Sequence, residues 1–267
     1  MNILFFLPLI AALVLSACSE MPAGLGGHEA PSTASSKPTL ASDEITQCAD
    51  QVKKLPPQDR PPSSLKPSVD LLYWCTKAAE KGDARSQFVL ARLYEKGTFG
   101  PANQPEAIRW YKASASSGFA DAQFKIGQIY GLGEGVPIDK AEATRWYLKA
   151  AGQGHLEAMY YMGYRYEHGK GTPKDFTEAF KWYGLAAEHG NRQAMAGLGS
   201  LYLLGHGVPQ NQVEAYKWFN LAAVSGDKDP IAQRDKLART LSKSQLAEGQ
   251  HLASEWAKKH PLDKKPQ

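Results

Sequence analysis

The sequence predicts an all-α protein in which αα-hairpins stack into a solenoid. Five of the six tryptophans recur at steps of 36 residues, and a period of this size is typical of repeat proteins. Each unit also contains a helix-capping motif and two apolar stripes with helical spacing, which predict two helices per repeat. The repeated tryptophans are Trp74, Trp110, Trp146, Trp182 and Trp218.

The helix that carries each repeated tryptophan, called helix B here, begins at the capping motif. In every full repeat an Asn or Asp is followed three residues later by Glu, as in Asp139 and Glu142. This spacing predicts a capping box. A glycine at the position of Gly154 is predicted to end the helix, because glycine readily adopts the left-handed conformation of a helix C-terminus.

The other helix of each unit, helix A, is predicted to begin just after that glycine. Its apolar stripe is clear at Ala122, Ile126 and Tyr130, and it ends at Gly133 before a Gly-Val-Pro turn. Neither helix can bury its stripe alone, whereas stacked hairpins share a continuous core. Small residues, predicted to let the helices approach closely, recur at 127, 163 and 199 on helix A and at 143, 179 and 215 on helix B.

Residues 122–130, 133–137 and 143–154 carry a family resemblance that recurs in every repeat. They resemble the Sel-one-like repeat (SLR) family, a relative of the tetratricopeptide repeats, over about residues 66–260. The resemblance implies a right-handed αα superhelix with a concave face formed mainly by the A helices. It also implies a scaffold or adaptor that binds a protein or peptide partner, without naming that partner.

Residues that differ between repeats on the predicted concave face are the candidate binding residues. Solvent exposure would also permit such variation, so plain surface positions are the alternative interpretation. Phe88, Phe124 and Tyr160 recur on helix A at the repeat step, and we predict that these rings pack between hairpins rather than bind a ligand. The candidates are Arg85, Asp121, Glu157 and Gln193 and, one helical face further on, Arg92, Gln128, Tyr164 and Ser200.

Both ends of the chain depart from the repeat and predict caps and targeting segments. The first unit has only its B helix, and a helix at about residues 43–54 is expected to cover it. A charged amphipathic helix from Ser242 to His260 is expected to cover the other end. The predicted segments are a signal peptide (1–17), a lipidated cysteine with a flexible tether (18–41), an N-terminal capping helix with a Pro-rich connector (42–68), the repeats (69–226), C-terminal capping helices (227–260) and a tail (261–267).

The N-terminus predicts export and a lipid anchor. Residues 3–14 are almost wholly apolar but too short to span a bilayer as a permanent helix, as in a signal peptide. The following Leu-Ser-Ala-Cys resembles the bacterial lipobox, which implies acyl chains on Cys18 and attachment to the bilayer. Ser19 resembles the residue found in lipoproteins of the outer membrane, which predicts a periplasm-facing protein. The leader departs from the usual pattern because it lacks Lys and Arg. The alternative is ordinary secretion after cleavage following Ala17.

With Cys18 lipidated, Cys48 and Cys75 remain as a pair of cysteines. Disulfides persist in an exported protein, so these two residues are expected to form one bridge. Two free buried thiols are the alternative.

The remaining sequence offers little catalytic chemistry. The net charge is +4 with acidic and basic residues interspersed, so no nucleic-acid partner is expected. The histidines form no metal-binding pair, and no phosphate-binding loop is present, so no metal or cofactor is expected. Ser63 and Lys66 spell the Ser-x-x-Lys of penicillin-recognising enzymes without the accompanying motifs. We therefore predict no enzyme, with an envelope hydrolase and a surface factor that engages a host protein as the alternatives.

Overall fold

The computed structural model describes residues 69–98 and 100–260. Within them the chain forms eleven α-helices, one 3-10 turn and no strand, which confirms the predicted all-α fold. The helices are α1 (Val69–Glu80), α2 (Ala84–Lys96), α3 (Gln104–Ser116), α4 (Ala120–Leu132), α5 (Lys140–Gly152), α6 (Leu156–His168), α7 (Phe176–Glu188), α8 (Arg192–Leu204), α9 (Gln212–Ala222), α10 (Lys228–Thr240) and α11 (Lys243–Lys259), with the 3-10 turn at Ala223–Ser225.

The repeats form a solenoid in which A and B helices alternate. Helices α2, α4, α6 and α8 are A helices, α3, α5, α7 and α9 are B helices, and α1 is the B helix of the incomplete first unit. From α1 to α9, successive helices pack against each other, and both α10 and α11 pack against α9. Helices α6 and α8, both A helices, also touch each other directly, as expected on the inner side of a curved solenoid.

Left-handed glycines separate the helices at the predicted positions. Gly118, with φ of +89°, follows the end of α3, and Gly133, with φ of +77°, ends α4. A side chain is strained in this conformation, which explains why glycine recurs at both places in the repeat.

The predicted capping box is only half formed in the repeats. A carboxylate oxygen of Asp139 accepts a 2.8 Å hydrogen bond from the backbone N–H of Glu142, as predicted. The reciprocal bond is missing, because the backbone N–H of Asp139 donates to the carbonyl of Tyr130 at 2.9 Å and the Glu142 carboxylate pairs with Arg145. We call this backbone bond the loop clasp. It recurs at 2.9 Å from Asn103 to Tyr94, from Asp175 to Tyr166 and from Asn211 to Tyr202.

The small residues of the A helices leave room for aromatic rings of the B helices. A Cβ atom placed on Gly127 would lie 2.8 Å from the Tyr147 ring, and one placed on Gly199 would lie 3.0 Å from the Phe219 ring. Tyr147 and Phe219 are both buried within their own hairpins. The predicted close approach is therefore between a B-helix ring and an A-helix glycine.

Basic side chains cover the tryptophan rings of several B helices. The Arg109 guanidinium lies 4.2 Å from the centre of the Trp110 ring, and Lys149 and Lys217 cover Trp146 and Trp218 in the same way. Cation–π contacts of this kind stabilise the packing of the rings. Several of the basic residues on B helices therefore serve packing.

The C-terminal helices follow the last repeat without continuing its sequence pattern. Helix α11 packs against α9, with the Trp256 ring 5.5 Å from the Trp218 ring. The full capping box that the repeats lack is present here, between Ser242 and Gln245. No helix of the described part of the chain is both long enough and apolar enough to cross a membrane.

At the other end, Cys75 in α1 is fully buried and disulfide-bonded. Its expected partner Cys48 lies outside the described residues, so the pairing stays a prediction. The signal peptide, Cys18, the tether, the helix at 43–54 and the Ser63–Lys66 motif also lie outside them.

Candidate functional site

The candidate site is the solvent-facing side of the four A helices, which we call the inner face. Every predicted binding residue lies on one of these helices. The four at the first position of the pattern, Arg85, Asp121, Glu157 and Gln193, are exposed, and the four at the second position, Arg92, Gln128, Tyr164 and Ser200, are half-buried.

Asp121 and Glu157 flank a histidine that sequence reasoning did not select. His155 Nε2 lies 3.6 Å from the Asp121 carboxylate and its Nδ1 lies 3.5 Å from the Glu157 carboxylate. Nδ1 also accepts a 3.2 Å hydrogen bond from the backbone N–H of Ala158, so His155 caps α6. The ring stacks on Phe124, with 4.5 Å between ring centres. The middle of the inner face is thus acidic around one half-buried imidazole.

Tyr164 has its own set of neighbours on α6 and the loop that follows. Its hydroxyl accepts a 2.7 Å hydrogen bond from Lys170 Nζ, and its ring lies 4.3 Å from the His168 ring. An aromatic face with a basic side chain at its edge suits a peptide that carries apolar and acidic groups.

The remaining half-buried candidates differ in how freely they can meet a partner. Arg92 extends over the Phe88 ring, with 6.0 Å between the guanidinium and the ring centre. Ser200 donates a 3.2 Å hydrogen bond to the carbonyl of Ala196 in its own helix. Gln128 makes no side-chain hydrogen bond within the described residues. Arg92 and Gln128 are therefore the better placed of these positions.

The aromatic residues of helix A pack between hairpins. Phe88 contacts Tyr111 in its own hairpin and Phe119 at the start of the next one, at 5.5 and 5.2 Å between ring centres. Phe124 contacts Tyr147 at 5.5 Å and Tyr161 at 5.6 Å in the same manner. These rings pack between successive repeats. The predicted binding residues beside them on the inner face are therefore the ones available for contact with a partner.

A carboxylate missed by sequence reasoning joins three helices at the first repeat. Glu95 accepts a 2.7 Å hydrogen bond from the Tyr111 hydroxyl and lies 2.8 Å from Lys125 Nζ. Burial raises the pKa of Glu95, but the hydrogen bonds from Lys125 and Tyr111 and the nearby charges of Lys125 and Arg92 together lower it below its ordinary value. Glu95 is therefore ionised at neutral pH and tied into the hairpin.

The same bond recurs in the third full repeat. The Tyr183 hydroxyl donates to Glu167 at 2.7 Å, and burial followed by this hydrogen bond raises the pKa of Tyr183. The sequence did contain a signal for this tyrosine–glutamate bond. Glu95 and Glu167 occupy one repeat position, and Tyr111 and Tyr183 occupy another.

The described residues include a small cleft but no set of side chains arranged as metal ligands. No group of three His, Cys, Asp or Glu side chains in the described part of the chain is arranged to hold a metal ion. A cleft of about 230 Å³ beside the loop after α2 is lined mainly by apolar groups, among them Leu72, Leu93 and Pro101. Its volume is below the roughly 300–1,000 Å³ of most small-molecule sites.

Comparison with known families decides the relationship of the chain. The Sel1 repeat matches residues 72–83, 84–119, 120–155, 156–191 and 192–227, in units that end at the glycine-bounded junctions described above. The chain belongs to the Sel1 repeat family. No curated protein matches it. The Sel1 repeat fold is one commonly used in protein–protein interaction, typically by non-enzymatic scaffolds, and the resemblance to the Sel-one-like repeats is confirmed.

Two solved structures show the same fold, and a third is more distantly similar. A Sel1 repeat protein from Oxalobacter formigenes is 34% identical, with a TM-score of 0.57 over 63% of this chain and 49% of that one. A protective antigen of uropathogenic Escherichia coli strains, which displays an SLR fold, is 25% identical, with a TM-score of 0.53 over 82% of this chain and 54% of that one. The chain therefore spans about half the length of these two relatives. An immunity protein from Pseudomonas aeruginosa is 19% identical, with a TM-score of 0.47 over 84% of each chain.

Proposed function

We propose that this Sel1 repeat protein is a non-catalytic scaffold of the bacterial cell envelope that binds a protein or peptide along its inner face. One observation carries the proposal. The residues that recur in every repeat are used for helix ends and packing, whereas the polar residues that change from repeat to repeat lie on the solvent-facing side of the A helices. A surface that varies on a rigid framework is how solenoid proteins acquire specific partners.

The charge on the inner face changes along the solenoid. The first full repeat presents Arg85 and Arg92, and the next two present Asp121 and Glu157. A partner that binds along this face would place acidic groups opposite Arg85 and Arg92 and a basic group opposite Asp121 and Glu157. Complementary charge of this kind selects partners and fixes their direction of binding.

Site-specific crosslinking in cells tests the inner face. A photo-reactive amino acid at position 92 or 128 is expected to give a discrete protein adduct. The matched control is position 145, because Arg145 is exposed on the B helix α5 and pairs with Glu142. Adducts from 92 and 128 that are no stronger than those from 145 would contradict the proposal.

We propose further that acyl chains on Cys18 attach the protein to the outer membrane, facing the periplasm. The lipobox-like sequence before Cys18 supports this, and several acyl chains together hold a protein stably on a bilayer. Metabolic labelling with an alkyne fatty acid is expected to mark the wild-type protein and not Cys18→Ala. Equal labelling of both proteins, or a label in neither, would remove the anchor from the proposal.

A surface position in contact with a host protein is the second candidate. It is favoured by the relative that is a protective antigen of uropathogenic strains, which aligns with most of this chain. Protease added to intact cells separates the two candidates. Digestion of the repeats in intact cells supports surface exposure, and protection until the outer membrane is permeabilised supports the periplasmic position.

The hydrolase alternative has only the Ser63–Lys66 motif in its favour. A fluorescent β-lactam applied to the purified protein tests it directly. We expect no label on the wild-type protein, and a label that disappears in Ser63→Ala would overturn the non-catalytic assignment.

A further inference from the structure

The hairpin of α4 and α5 lacks a carboxylate that the hairpins before and after it have. Tyr147 on α5 corresponds to Tyr111 and Tyr183, but the residue at the place of their glutamate partners is Gly131. The Tyr147 hydroxyl makes no hydrogen bond within the described residues. The Tyr147 residue is only 3% exposed, but its hydroxyl oxygen is not among the fully buried polar atoms that lack a partner, so this hydroxyl reaches solvent without a protein acceptor.

A buried arginine stands next to this tyrosine. Arg165 on α6 is 6% exposed and takes the repeat position that Leu93, Ile129 and Leu201 occupy elsewhere. Its guanidinium lies 5.1 Å from the centre of the Tyr147 ring. A charged group has therefore replaced an aliphatic one in the same hairpin junction that has lost its glutamate.

The polar contacts of Arg165 leave its charge uncompensated. Nε donates to the Thr144 hydroxyl at 2.8 Å, and Nη2 donates to the carbonyl of Lys140 at 2.5 Å. Nη1 donates no hydrogen bond, and no carboxylate of the described chain pairs with the guanidinium. A buried charge without a counter-ion is costly, and a ligand that supplies the missing charge recovers that cost.

The free donors converge on the space that the missing glutamate would fill. A Cβ atom placed on Gly131 would lie 3.8 Å from the Tyr147 hydroxyl oxygen and 3.9 Å from Arg165 Nη1. This position is open to solvent in the other repeats, where the side chains of Glu95 and Glu167 are 27% and 19% exposed. Gly131 is itself half-buried, so the space can be reached from outside.

We propose that this space binds a carboxylate of the peptide partner, held by Arg165 Nη1 and the Tyr147 hydroxyl. The inference rests on the proposed function, because the bound partner brings the carboxylate. A Glu or Asp side chain matches these donors, because a glutamate accepts the corresponding tyrosine hydroxyl in the hairpins before and after this one. Charge-assisted hydrogen bonds from a guanidinium are stronger than neutral ones, so this subsite gives the partner a specific acidic position.

Nuclear magnetic resonance on the full repeat protein tests the subsite with two defined probes. The probes are the tripeptides acetyl-Ala-Glu-Ala-amide and acetyl-Ala-Gln-Ala-amide. The reporter is the Arg165 Nε–Hε resonance, assigned by its absence from Arg165→Leu. The glutamate peptide is expected to shift this resonance saturably, and the glutamine peptide is expected to bind at least about ten times more weakly.

Two variants distinguish filling the subsite from adding charge. Gly131→Glu restores the carboxylate of the other repeats, so it is expected to abolish the shift and to raise Tm. Gly152→Glu adds the same charge where a Cβ atom meets nothing within 4 Å, and it is expected to keep the shift. Arg165→Leu is expected to fold, because leucine or isoleucine occupies this position in the other repeats, and its retained helical circular dichroism checks this.

The subsite is overturned if the glutamate peptide leaves the resonance unchanged, if the glutamine peptide shifts it equally, or if Gly131→Glu still responds. Crosslinking from positions 92 and 128 is a separate measurement. Adducts there without a carboxylate response leave the inner face as the binding surface and remove the subsite. A carboxylate response without adducts establishes the subsite and removes the inner-face proposal.

Discussion

Tyr183 and Phe219 occupy the same repeat position in successive B helices. The polar Tyr183 is preceded sixteen residues earlier by a polar residue, and the apolar Phe219 by an apolar one. Tyr183 donates a hydrogen bond to Glu167, whereas Phe219 is preceded by Leu203 at the glutamate position. The hydroxyl and the carboxylate therefore occur together or are absent together at these two hairpins. The Tyr–Glu pair of one hairpin thus corresponds to the Phe–Leu pair of the next.

Removing one member of this pair is expected to cost more than removing both. Tyr183→Phe should lower the free energy of unfolding by about 1–2 kcal/mol, because it takes a hydrogen bond from a partly buried carboxylate. The double variant Tyr183→Phe with Glu167→Leu imports the pair of the next repeat and should recover part of the loss. Urea denaturation of the two single variants and the double variant gives the coupling energy. Additive losses would contradict the pairing.

The lowered pKa of Glu95 predicts a specific loss of stability in acid. A carboxyl group whose pKa is lower in the folded state stabilises the fold above its unfolded pKa, here about 4.5, and loses that contribution as the pH falls through the folded pKa. The wild-type protein should therefore be more stable than Glu95→Gln at pH 7, with the difference vanishing in acid. Urea denaturation between pH 7 and low pH measures this. Glu188→Gln is the control, because Glu188 is exposed, and its difference from wild type should stay small throughout.

Two glycine substitutions are expected to have opposite effects on stability. Gly127→Ala brings a methyl group within 2.8 Å of the Tyr147 ring and should cost about 1–3 kcal/mol, because the ring must shift. Gly184→Ala lies inside helix α7, where a Cβ atom meets nothing within 4 Å, and should raise stability by up to about 1 kcal/mol. Thermal unfolding of both variants checks the signs. A gain at position 127 would mean that the ring does not need the glycine.

The half-formed capping box predicts unequal roles for its two acids. Asp139→Ala should cost about 1 kcal/mol, because Asp139 accepts the hydrogen bond that caps α5. Glu142→Ala should cost at most about 0.5 kcal/mol, since Glu142 makes only an exposed ion pair with Arg145. Gln245→Ala in the complete box of α11 is the comparison and should cost more than Glu142→Ala. Equal costs at 142 and 245 would indicate a capping bond at Glu142 in solution.

Local sequence patterns were enough to predict the helices of the repeats. Apolar stripes with helical spacing, N-cap residues and left-handed glycines determine the backbone conformation within a few residues of their own position. The roles of residues such as Asp139 and Gly133 could therefore be predicted from the sequence. The capping box was wrong for a tertiary reason. The backbone N–H of Asp139 finds the carbonyl of Tyr130 in the preceding A helix, a partner that no local pattern reveals.

The sequence predicted where the residues of the candidate site lie on the A helices, but it did not predict which side chains they contact. Sequence periodicity placed Asp121 and Glu157 on the same face of successive A helices. That both flank His155 depends on the spacing and curvature of the stacked hairpins, which periodicity does not provide. The exchange of a glutamate for Gly131 and of an aliphatic residue for Arg165 is visible in the aligned repeats. Only their convergence in space shows that the two changes concern one position.

The loop clasp has a consequence for building longer or shorter forms of this protein. The bond from Asp139 to Tyr130 uses main-chain atoms alone, so any 36-residue unit with the same two helices can close its own loop. A copy of residues 120–155 inserted after residue 155 should add one more hairpin. The length of the solenoid can in this way be changed in steps of one 36-residue repeat.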